Sequence, residues 1–299
     1  MATSVHCEVD TSAVSCLVSI VVPVFNGMPF LPELVRGLLD QTYSNLEIIL
    51  SDGGSTDGSL DYLQSLSDSR IQVISHNPGT SAAGNWTAAC LAANGPYIKL
   101  ICQDDVLYSN AIDMQITDLI SQPSASMAIA RRDVIDAHGK VLVRGRGLKG
   151  VGSGCHSGSS LIRKCFISGT NILGEPLAVL FRREALLPHL PWRDSNPLML
   201  DLTMYELVAQ GSNVVTRPDS IGAFRVSASS WSTRLATEQL VQTRAWQTSY
   251  VATHPEVASG WNLARAHAGR YLQTATRRLA YRYLRLSGRL SVPNPMTRP

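Results

Sequence analysis

Two adjacent acidic residues follow an apolar segment that is typical of a buried strand. The segment Tyr97–Cys102 (YIKLIC) is followed by Gln103, and Asp104 and Asp105 come next. Neighbouring carboxylates repel each other unless a cation neutralises them. Carboxylate oxygens suit Mg²⁺ or Mn²⁺, with diphosphate oxygens completing the coordination shell. The pair therefore predicts a divalent-metal site for a phosphorylated substrate, with a solvated turn or a helix cap as the structural alternative.

Polar residues also follow two earlier apolar segments. Leu17–Phe25 (LVSIVVPVF) ends at Phe25 and Asn26, and Leu46–Leu50 (LEIIL) is soon followed by Asp52. Phe25 offers a ring face for a nucleobase, and Asp52 offers a hydrogen-bond acceptor. Asp52 also lies in an Asp-Gly-Gly sequence, which is natural turn chemistry, so both interpretations of Asp52 stay open.

Alternating strands and helices position these polar clusters. The first ~120 residues predict a parallel sheet joined by right-handed helical crossovers. Ligands of such sheets bind at the carboxyl ends of the strands, where the polar clusters fall. The predicted strands are Leu17–Phe25, Leu46–Leu50, Arg70–Ser75 and Tyr97–Cys102, and the predicted helices are Pro29–Gln41, Asp57–Leu66, Ser81–Ala93 and Ser109–Ser121. Asp57 fits the N-cap of its helix.

The pattern changes beyond Ala125. Residues 125–139 predict a strand and a hairpin, and residues 144–160, with six glycines, predict a mobile loop that is either a lid over the site or plain surface disorder. Further predicted elements are a strand at Pro176–Phe181, a helix at Asp201–Gln210, strands at Val214–Thr216 and Ile221–Val226, and helical structure from Thr233 to about Leu286.

Composition excludes several classes of protein. Apolar residues make up 44% and charged residues 16% of the 299 residues, which favours a globular chain with a substantial core. The six cysteines form no CxxC pair, so we expect no zinc knuckle and a reducing compartment. The longest apolar run, Cys16–Phe25, is far shorter than the ~20 residues that cross a bilayer. Because no basic stretch opens the sequence, we expect no signal peptide and a cytoplasmic protein.

The C-terminal region is strongly basic. Net charge is +3, yet residues 257–299 contain eight arginines and no acidic residue. Helical spacing of apolar residues over 261–290 leaves three interpretations: packing on the protein or in a homodimer, docking on an anionic membrane surface, or nucleic-acid binding. No aromatic and basic platform supports the last, so we expect no nucleic-acid partner. Docking would place the protein at the inner face of the membrane.

An ordered set of motifs resembles glycosyltransferase family 2, the inverting nucleotide-sugar enzymes with a GT-A fold. The motifs are VSIVVPVFNG (18–27), LEIILSDGGSTDGS (46–59), NPGTSAAGN (77–85), CQDDVL (102–107) and, more loosely, LMLDLTMYELVAQG (198–211) and FRVSASS (224–230). The resemblance implies an α/β, GT-A-like (Rossmann-like), mostly parallel sheet flanked by helices over 17–230. It would comprise a nucleotide-binding half, 17–122, and an acceptor half, 123–230. Residues 1–16 would be an N-terminal extension and 231–299 a basic helical C-terminal extension.

The resemblance also implies roles for individual residues. Asp105 would bind Mg²⁺ or Mn²⁺, Asp104 would face the ribose and Asp52 the base. The other donor-binding residues would be Pro23, Val24, Phe25, Asn26, Asn85 and Arg225, although Arg225 fits a structural ion pair equally well. The sequence departs from the family pattern at Gly53, Gly84 and Ser227, where relatives often carry Asp, Arg and His.

Inversion requires one base that deprotonates the acceptor hydroxyl. Asp201 matches the acidic position of the family's base, with Glu175 as its rival and Asp194 a further candidate. The expected reaction transfers a sugar from a nucleoside diphosphate-sugar to the hydroxyl of a glycolipid, a lipid-linked saccharide or a polysaccharide. Two alternatives remain: a nucleotidyltransferase, and a catalytically silent protein that binds nucleotide-sugars.

Overall fold

The computed structural model of the chain describes residues 16–291. Ten strands form one mixed sheet in the order β3-β2-β1-β4-β9-β6-β10-β5, with β7 paired to β6 and β8 to β10. The strands are β1 (Val18–Val24), β2 (Leu46–Asp52), β3 (Ile71–Ser75), β4 (Tyr97–Leu100), β5 (Val106–Leu107), β6 (Ala125–Asp136), β7 (Val141–Arg146), β8 (Gly154–Ser157), β9 (Val179–Arg182) and β10 (Asn213–Val226). Most of the predicted N-terminal extension, residues 1–15, lies outside the described residues.

Helices connect and cover these strands. They are α1 (Leu31–Leu39), α2 (Ser59–Gln64), α3 (Ala82–Leu91), α4 (Ala111–Ser121), α5 (Gly158–Ser168), α6 (Arg183–Leu186), α7 (Leu200–Ala209), α8 (Trp231–Arg234), α9 (Gln239–Thr253) and α10 (Gly260–Leu286). Short 3₁₀ turns lie at Pro176–Ala178, Leu187–His189, Pro197–Met199 and Pro255–Val257. The predicted α/β class is confirmed.

The nucleotide-binding half is the parallel part of the sheet. β1 pairs in parallel with β2 and β4, and β2 pairs in parallel with β3. Successive side chains of a strand point to opposite faces. Accordingly, Val22 packs with α1 and α4, whereas Val21 packs with the cluster that contains α3, α5 and α7. Helices on both faces bury β1 completely, which explains its continuous apolar sequence.

The second half extends the sheet with mixed strand directions. β9 is antiparallel to both β4 and β6, whereas β10 is parallel to β6. β6 and β7 form the predicted hairpin, whose turn contains Gly139 with φ +80°. The two short strands predicted at 214–216 and 221–226 are parts of β10, which is continuous but irregular in register.

The predicted mobile loop over 144–160 is wrong as a description of the whole segment. β7 continues to Arg146, β8 pairs with β10, and α5 begins at Gly158. Strand pairing uses backbone groups, so a glycine-rich sequence hides it. A Cβ on Gly158 would lie 2.2 Å from the carbonyl oxygen of Ala209, so glycine permits the close approach of α5 and α7.

The predicted helical region after Thr233 is interrupted twice. α8 ends at Arg234, and α9 ends before Pro255, because a proline disfavours helical backbone in the residue that precedes it. α10 then runs for 27 residues and packs against α5 and α9. Of the described helices, none combines the length and the apolar character that a membrane span requires.

Candidate functional site

A cavity of about 970 Å³ lies at the carboxyl ends of β1, β2 and β4. The acceptor half, the β6–β7 hairpin and α10 form its other walls. Eight of the sequence-predicted residues line it: Pro23, Val24, Phe25, Asn26, Asn85, Asp104, Glu175 and Asp201. Asp52, Asp105 and Arg225 are buried and lie outside its lining. The topology therefore brings these eight residues, which are spread between positions 23 and 201 of the sequence, to the surface of one cavity.

The turn after β1 is tied to the loop after β2. Asn26 has the left-handed φ of 51°, its N–H donates to Ser55 Oγ at 2.9 Å, and its Oδ1 accepts from the Thr56 N–H at 2.9 Å. Asparagine tolerates this backbone conformation better than most residues. These bonds leave the Phe25 side chain 55% exposed at the cavity wall, where a planar ligand can stack on it.

Asp57 stabilises the same turn and is not the helix cap that the sequence predicts. Gly58 is the N-cap of α2, with φ 87° and no side-chain cap. Asp57 instead accepts the N–H groups of Ser59 and Met28, at 3.0 and 2.9 Å. Its carboxylate therefore joins the loop after β2 to the turn after β1.

Gln103 is a residue that the sequence reasoning missed. The Phe25 N–H donates to Gln103 Oε1 at 2.6 Å, and Gln103 Nε2 donates to the Phe25 carbonyl at 2.8 Å. This amide pair fixes the backbone of the cavity-lining Phe25. The sequence signal that could have indicated this role was the position of Gln103 directly before the acidic pair.

Asp52 acts within its own turn. Its Oδ2 accepts the N–H groups of Gly54 and Ser55 at 2.9 and 3.0 Å, and its buried Oδ1 has no hydrogen-bond partner in the structure. The turn interpretation is therefore what the contacts support, while a donor contact stays a prediction. Gly53 lines the cavity in its place, and a Cβ there would lie 3.0 Å from Asn85 Nδ2.

Asn85 lies beneath this turn and connects two strands. Its Nδ2 donates to the Val24 carbonyl at 3.0 Å, and its Oδ1 accepts from Ser51 Oγ at 2.7 Å. Asn85 is 3% exposed yet touches the cavity. Its amide therefore supports the cavity floor from within, and a direct contact with a donor stays a prediction.

The two members of the acidic pair, which follows β4, differ in their access to the cavity. Asp104 lies in the cavity wall, where Ser230 Oγ donates to its Oδ2 at 3.1 Å. Asp105 is 1% exposed; its Oδ1 accepts the Arg225 N–H at 3.1 Å, and its Oδ2 has no partner. Burial raises the pKa of Asp104, and burial together with the charge of Asp104 raises the pKa of Asp105 well above its usual range.

The acidic pair fits a hard divalent cation. Two carboxylates with raised pKa values, one with an unpartnered oxygen, lack the positive charge that a cation supplies. Within residues 16–291, no three His, Cys, Asp or Glu side chains are arranged to hold a metal by themselves. A cation at Asp104 and Asp105 would therefore need further oxygen ligands, which a diphosphate carries.

Arg225 is engaged in structural contacts. Its Nη2 donates to Glu33 Oε2 at 2.7 Å, its Nε donates to the Asp104 carbonyl at 2.8 Å, and its guanidinium lies 4.6 Å from the Phe30 ring centre. Its side chain is 2% exposed. These contacts support the structural ion pair and fix the backbone of Asp104, while a diphosphate contact by Arg225 stays a prediction.

A second acidic pair lies in the acceptor half. Glu175, at the turn before β9, forms an ion pair with Arg132 of β6, whose side chain is 2% exposed. Burial alone would raise the pKa of Glu175, but the charges of Arg132 and Arg146 outweigh it and hold that pKa below its usual value. Glu175 is therefore a weak proton acceptor.

Asp201 has the opposite environment. It lies in the first turn of α7, where its Oδ1 accepts the Leu202 N–H at 2.7 Å and its Oδ2 accepts from Asn171 Nδ2 at 3.0 Å. Burial, reinforced by the charge of Glu175, raises the pKa of Asp201 to about 7. A carboxylate with this pKa can take and release a proton near neutral pH. The third candidate, Asp194, is exposed and outside the cavity lining.

Comparisons with known proteins agree with this geometry. The family model described as Glycosyl transferase family 2 matches residues 19–183, more than half of the chain. The Escherichia coli protein named UDP-Glc:alpha-D-GlcNAc-diphosphoundecaprenol beta-1,3-glucosyltransferase WfaP is 38% identical over 100 residues, which cover 33% of this chain and 40% of that protein. Matched segments span 33% to 41% of the curated relatives' own length.

Solved structures share the fold. A crystal structure of S. aureus TarS matches with a TM-score of 0.61 and 11% identity, covering 85% of this chain and 70% of that chain. The mannosyltransferase PcManGT from Pyrobaculum calidifontis, in complex with GDP-Man and Mn²⁺, matches with a TM-score of 0.55 and 17% identity, covering 91% and 79%. The predicted GT-A fold is thereby confirmed.

Proposed function

The chain belongs to glycosyl transferase family 2, and from that premise we propose that it is an inverting, metal-dependent glycosyltransferase. Its donor would be a nucleoside diphosphate-sugar and its acceptor hydroxyl part of a lipid-linked saccharide. The observation that carries the proposal is a single cavity that has Asp104, backed by the buried Asp105, on one wall and Asp201, with a pKa of about 7, on another.

Asp201 is the proposed base. Hydrogen bonds from Asn171 and the Leu202 N–H orient its carboxylate. Asp201 accepts the proton of the acceptor hydroxyl while the hydroxyl oxygen forms a bond to the anomeric carbon of the donor sugar. The bond from that carbon to the diphosphate breaks, and its electron pair leaves with the nucleoside diphosphate. A single displacement inverts the anomeric configuration and needs no protein nucleophile.

The donor would lie along the carboxyl ends of β1 and β4. Phe25 offers its exposed ring to the base, and Gln103 holds the Phe25 backbone in place. Asp104 and Asp105 would hold Mg²⁺ or Mn²⁺, which when bound neutralises charge on the departing diphosphate. The donor-bound PcManGT structure contains Mn²⁺, which supports this assignment by analogy of fold.

Two arginines support an acceptor that carries a diphosphate. Arg146 of β7 and Arg277 of α10 both line the cavity. Partial burial lowers the pKa of Arg146. The charge of Glu175 raises this pKa, whereas the charges of Arg132 and Arg277 lower it further. Guanidinium groups bind phosphates through paired hydrogen bonds. The name of WfaP includes a diphosphoundecaprenol-linked acceptor, which supports the same class of acceptor here.

A transfer assay tests the proposal. The full chain is incubated with Mn²⁺, a panel of UDP-, GDP- and dTDP-sugars and a lipid-diphosphate-linked saccharide, and the anomeric configuration of any product is read by NMR. We expect one donor to give product of inverted configuration. A parallel reaction with added pyrophosphate that yields a nucleoside triphosphate and a sugar 1-phosphate would support a nucleotidyltransferase. Tight nucleotide binding without product from any donor would support the catalytically silent alternative, and either outcome would overturn the proposal.

A further inference from the structure

The outer face of α10 carries an exposed apolar stripe. Trp261, Leu272, Leu279 and Leu286 are 73%, 66%, 69% and 80% exposed. Successive members are 11, 7 and 7 residues apart along the helix. At 3.6 residues per turn, these intervals keep the four side chains within about 20° of one line. Ala268 and Ala275, both exposed, lie on the same line.

The opposite face of α10 is the one that packs on the protein. Ala266, Arg270 and Thr274 are buried, and Arg270 Nη1 donates to Gln247 Oε1 of α9 at 2.6 Å. A Cβ on Gly169 would lie 2.2 Å from the backbone nitrogen of Arg270, so the backbones of the two segments are in close contact. The exposed stripe is therefore additional to the packing face.

Positive charges lie on both sides of the stripe. Arg265 is exposed along one edge, and Arg278 and Arg282 are exposed along the other. Tyr271 and Tyr283, 58% and 60% exposed, lie beside them. The sequence contains no acidic residue after Glu256. A protein partner would need only the apolar stripe, whereas arginines on both edges complement a surface of negative charge.

We infer that the outer face of α10 docks the protein on the surface of an anionic lipid bilayer. The helix lies along the membrane plane, the stripe enters the boundary between headgroups and acyl chains, and the arginines contact lipid phosphates. Tryptophan and tyrosine are suited to this boundary because each joins an apolar ring to a polar group. A 27-residue helix offers a contact line of about 40 Å.

Docking on this face would also orient the cavity. Thr276, Arg277 and Ala280, on other sides of the same helix, line the cavity. At about 100° per residue these three positions lie about 60° to 160° around the helix from Trp261, and Tyr283 beside the stripe lines the cavity as well. The cavity therefore lies to one side of the docked helix, within about one helix diameter, 10–12 Å, of the bilayer. A lipid-linked acceptor would then reach the cavity around the edge of α10. The docking inference itself does not depend on glycosyl transfer, since a silent protein with the same helix would dock equally.

Vesicle sedimentation tests the inference on the full chain. Wild type is compared with Leu272→Ser/Leu279→Ser on vesicles of phosphatidylcholine with or without 30% phosphatidylglycerol. Leu91→Ser/Ile120→Ser is the matched control, because these leucine and isoleucine side chains are 60% and 52% exposed on α3 and α4. We expect the stripe variant to bind anionic vesicles at least about tenfold more weakly, and the control to bind like wild type. Equal binding by the stripe variant would overturn the inference.

Two further measurements test the role of the arginine charges and whether lipid or a second copy of the protein covers the stripe. Arg278→Gln/Arg282→Gln should weaken binding several-fold and flatten its dependence on salt; binding of wild type to neutral vesicles as tight as to anionic ones would contradict the role of charge. Light scattering of wild type should give a monomer. A dimer that the stripe variant dissociates, without vesicle binding, would show that a second copy covers the stripe.

A spectroscopic readout keeps the inference testable if the stripe variant does not fold. Brominated lipids in the vesicles quench tryptophan fluorescence on contact. Wild type should lose fluorescence on such vesicles, and Trp261→Phe should lose markedly less, since Trp261 is the tryptophan on the stripe. Equal quenching of both proteins would place the membrane contact elsewhere and overturn the inference.

Discussion

The two acidic pairs of the cavity differ in what surrounds them. After β4, burial raises the pKa of Asp104, and burial together with the charge of Asp104 raises the pKa of Asp105. Arg225 donates its backbone N–H to Asp105 and its Nε to the Asp104 carbonyl. In the acceptor half, Arg132 forms an ion pair with Glu175, and burial together with the charge of Glu175 raises the pKa of Asp201 to about 7. Both pairs bring carboxylates together under burial, but only the second contains a guanidinium ion pair.

The difference assigns different chemistry to each pair. A pair without an internal cation can bind one from outside, which suits a metal and a diphosphate. A pair with one neutralised member leaves a single carboxylate of adjusted pKa, which suits proton transfer. The ion pair between Arg132 and Glu175 therefore distinguishes the pair that contains the catalytic base from the pair that binds a cation.

Asp201→Asn should have the largest effect, because it removes the proton acceptor and keeps the shape. We expect transfer to fall by about 10²–10⁴-fold while nucleotide-sugar affinity, measured by calorimetry, stays unchanged. Glu206→Gln is the matched control, since Glu206 lies on the same helix but outside the cavity lining, where its Oε2 accepts a hydrogen bond from Trp246 Nε1. Full activity of Asp201→Asn would move the role of base to another residue.

Glu175→Gln should shift the pH dependence of transfer. The folded pKa of Asp201 is raised, so the base is lost by protonation as the pH falls through about 7. Removing the negative charge of Glu175 lowers that pKa, and the variant should retain a larger fraction of its maximal rate at pH 6, by about two- to tenfold. A midpoint that stays in place or rises would contradict the coupling of these two acids.

Ser230→Ala should have a smaller effect on the other pair. Ser230 Oγ donates to Asp104 Oδ2 and lowers the pKa of Asp104 against the effect of burial. Without this bond Asp104 should hold its proton more tightly, so nucleotide binding in Mn²⁺ should weaken by about threefold, and more at pH 6 than at pH 8. A loss that does not vary with pH would indicate a steric cause.

The smallest expected effect is that of Asp201→Asn on the pH dependence of the free energy of unfolding. The folded pKa of Asp201, about 7, exceeds its ordinary value of 3.8. The favourable contribution of this carboxyl group to stability is therefore present below pH 4 and is lost as the pH rises through about 7. Asp201→Asn cannot titrate and should reduce the loss of unfolding free energy between pH 5 and pH 8 by on the order of 1 kcal/mol. Urea unfolding at both pH values measures this difference, and parallel curves for the two proteins would contradict it.

The nucleotide-binding half could be predicted from the sequence because burial there produces a pattern of apolar and polar residues along the chain. Strands covered on both faces, such as β1, are continuously apolar, and the polar residues after them fall at the sheet edge. Asp104 and Asp105 are among these polar residues, whereas the role of Asp201 is implied by the resemblance to a family. These residues follow local patterns, and the structure places them on or beside one cavity.

Residues that act through distant partners could not be found in this way. Arg132 is an arginine within the apolar strand β6, and its partner Glu175 is 43 positions away. The glycines of 144–160 hide strand β8, because its pairing with β10 uses backbone groups. Each of these features depends on three-dimensional contacts.

We propose that Asp104 and Asp105, between β4 and β5, bind a nucleoside diphosphate through a divalent cation. Calorimetric titration of UDP, GDP and dTDP into wild type and Asp105→Asn, each with and without Mn²⁺, tests it most directly. We expect Mn²⁺ to strengthen binding of at least one nucleotide to wild type by about tenfold or more and to have little effect on binding to the variant. An equal enhancement by Mn²⁺ in both proteins, or none in wild type, would contradict it.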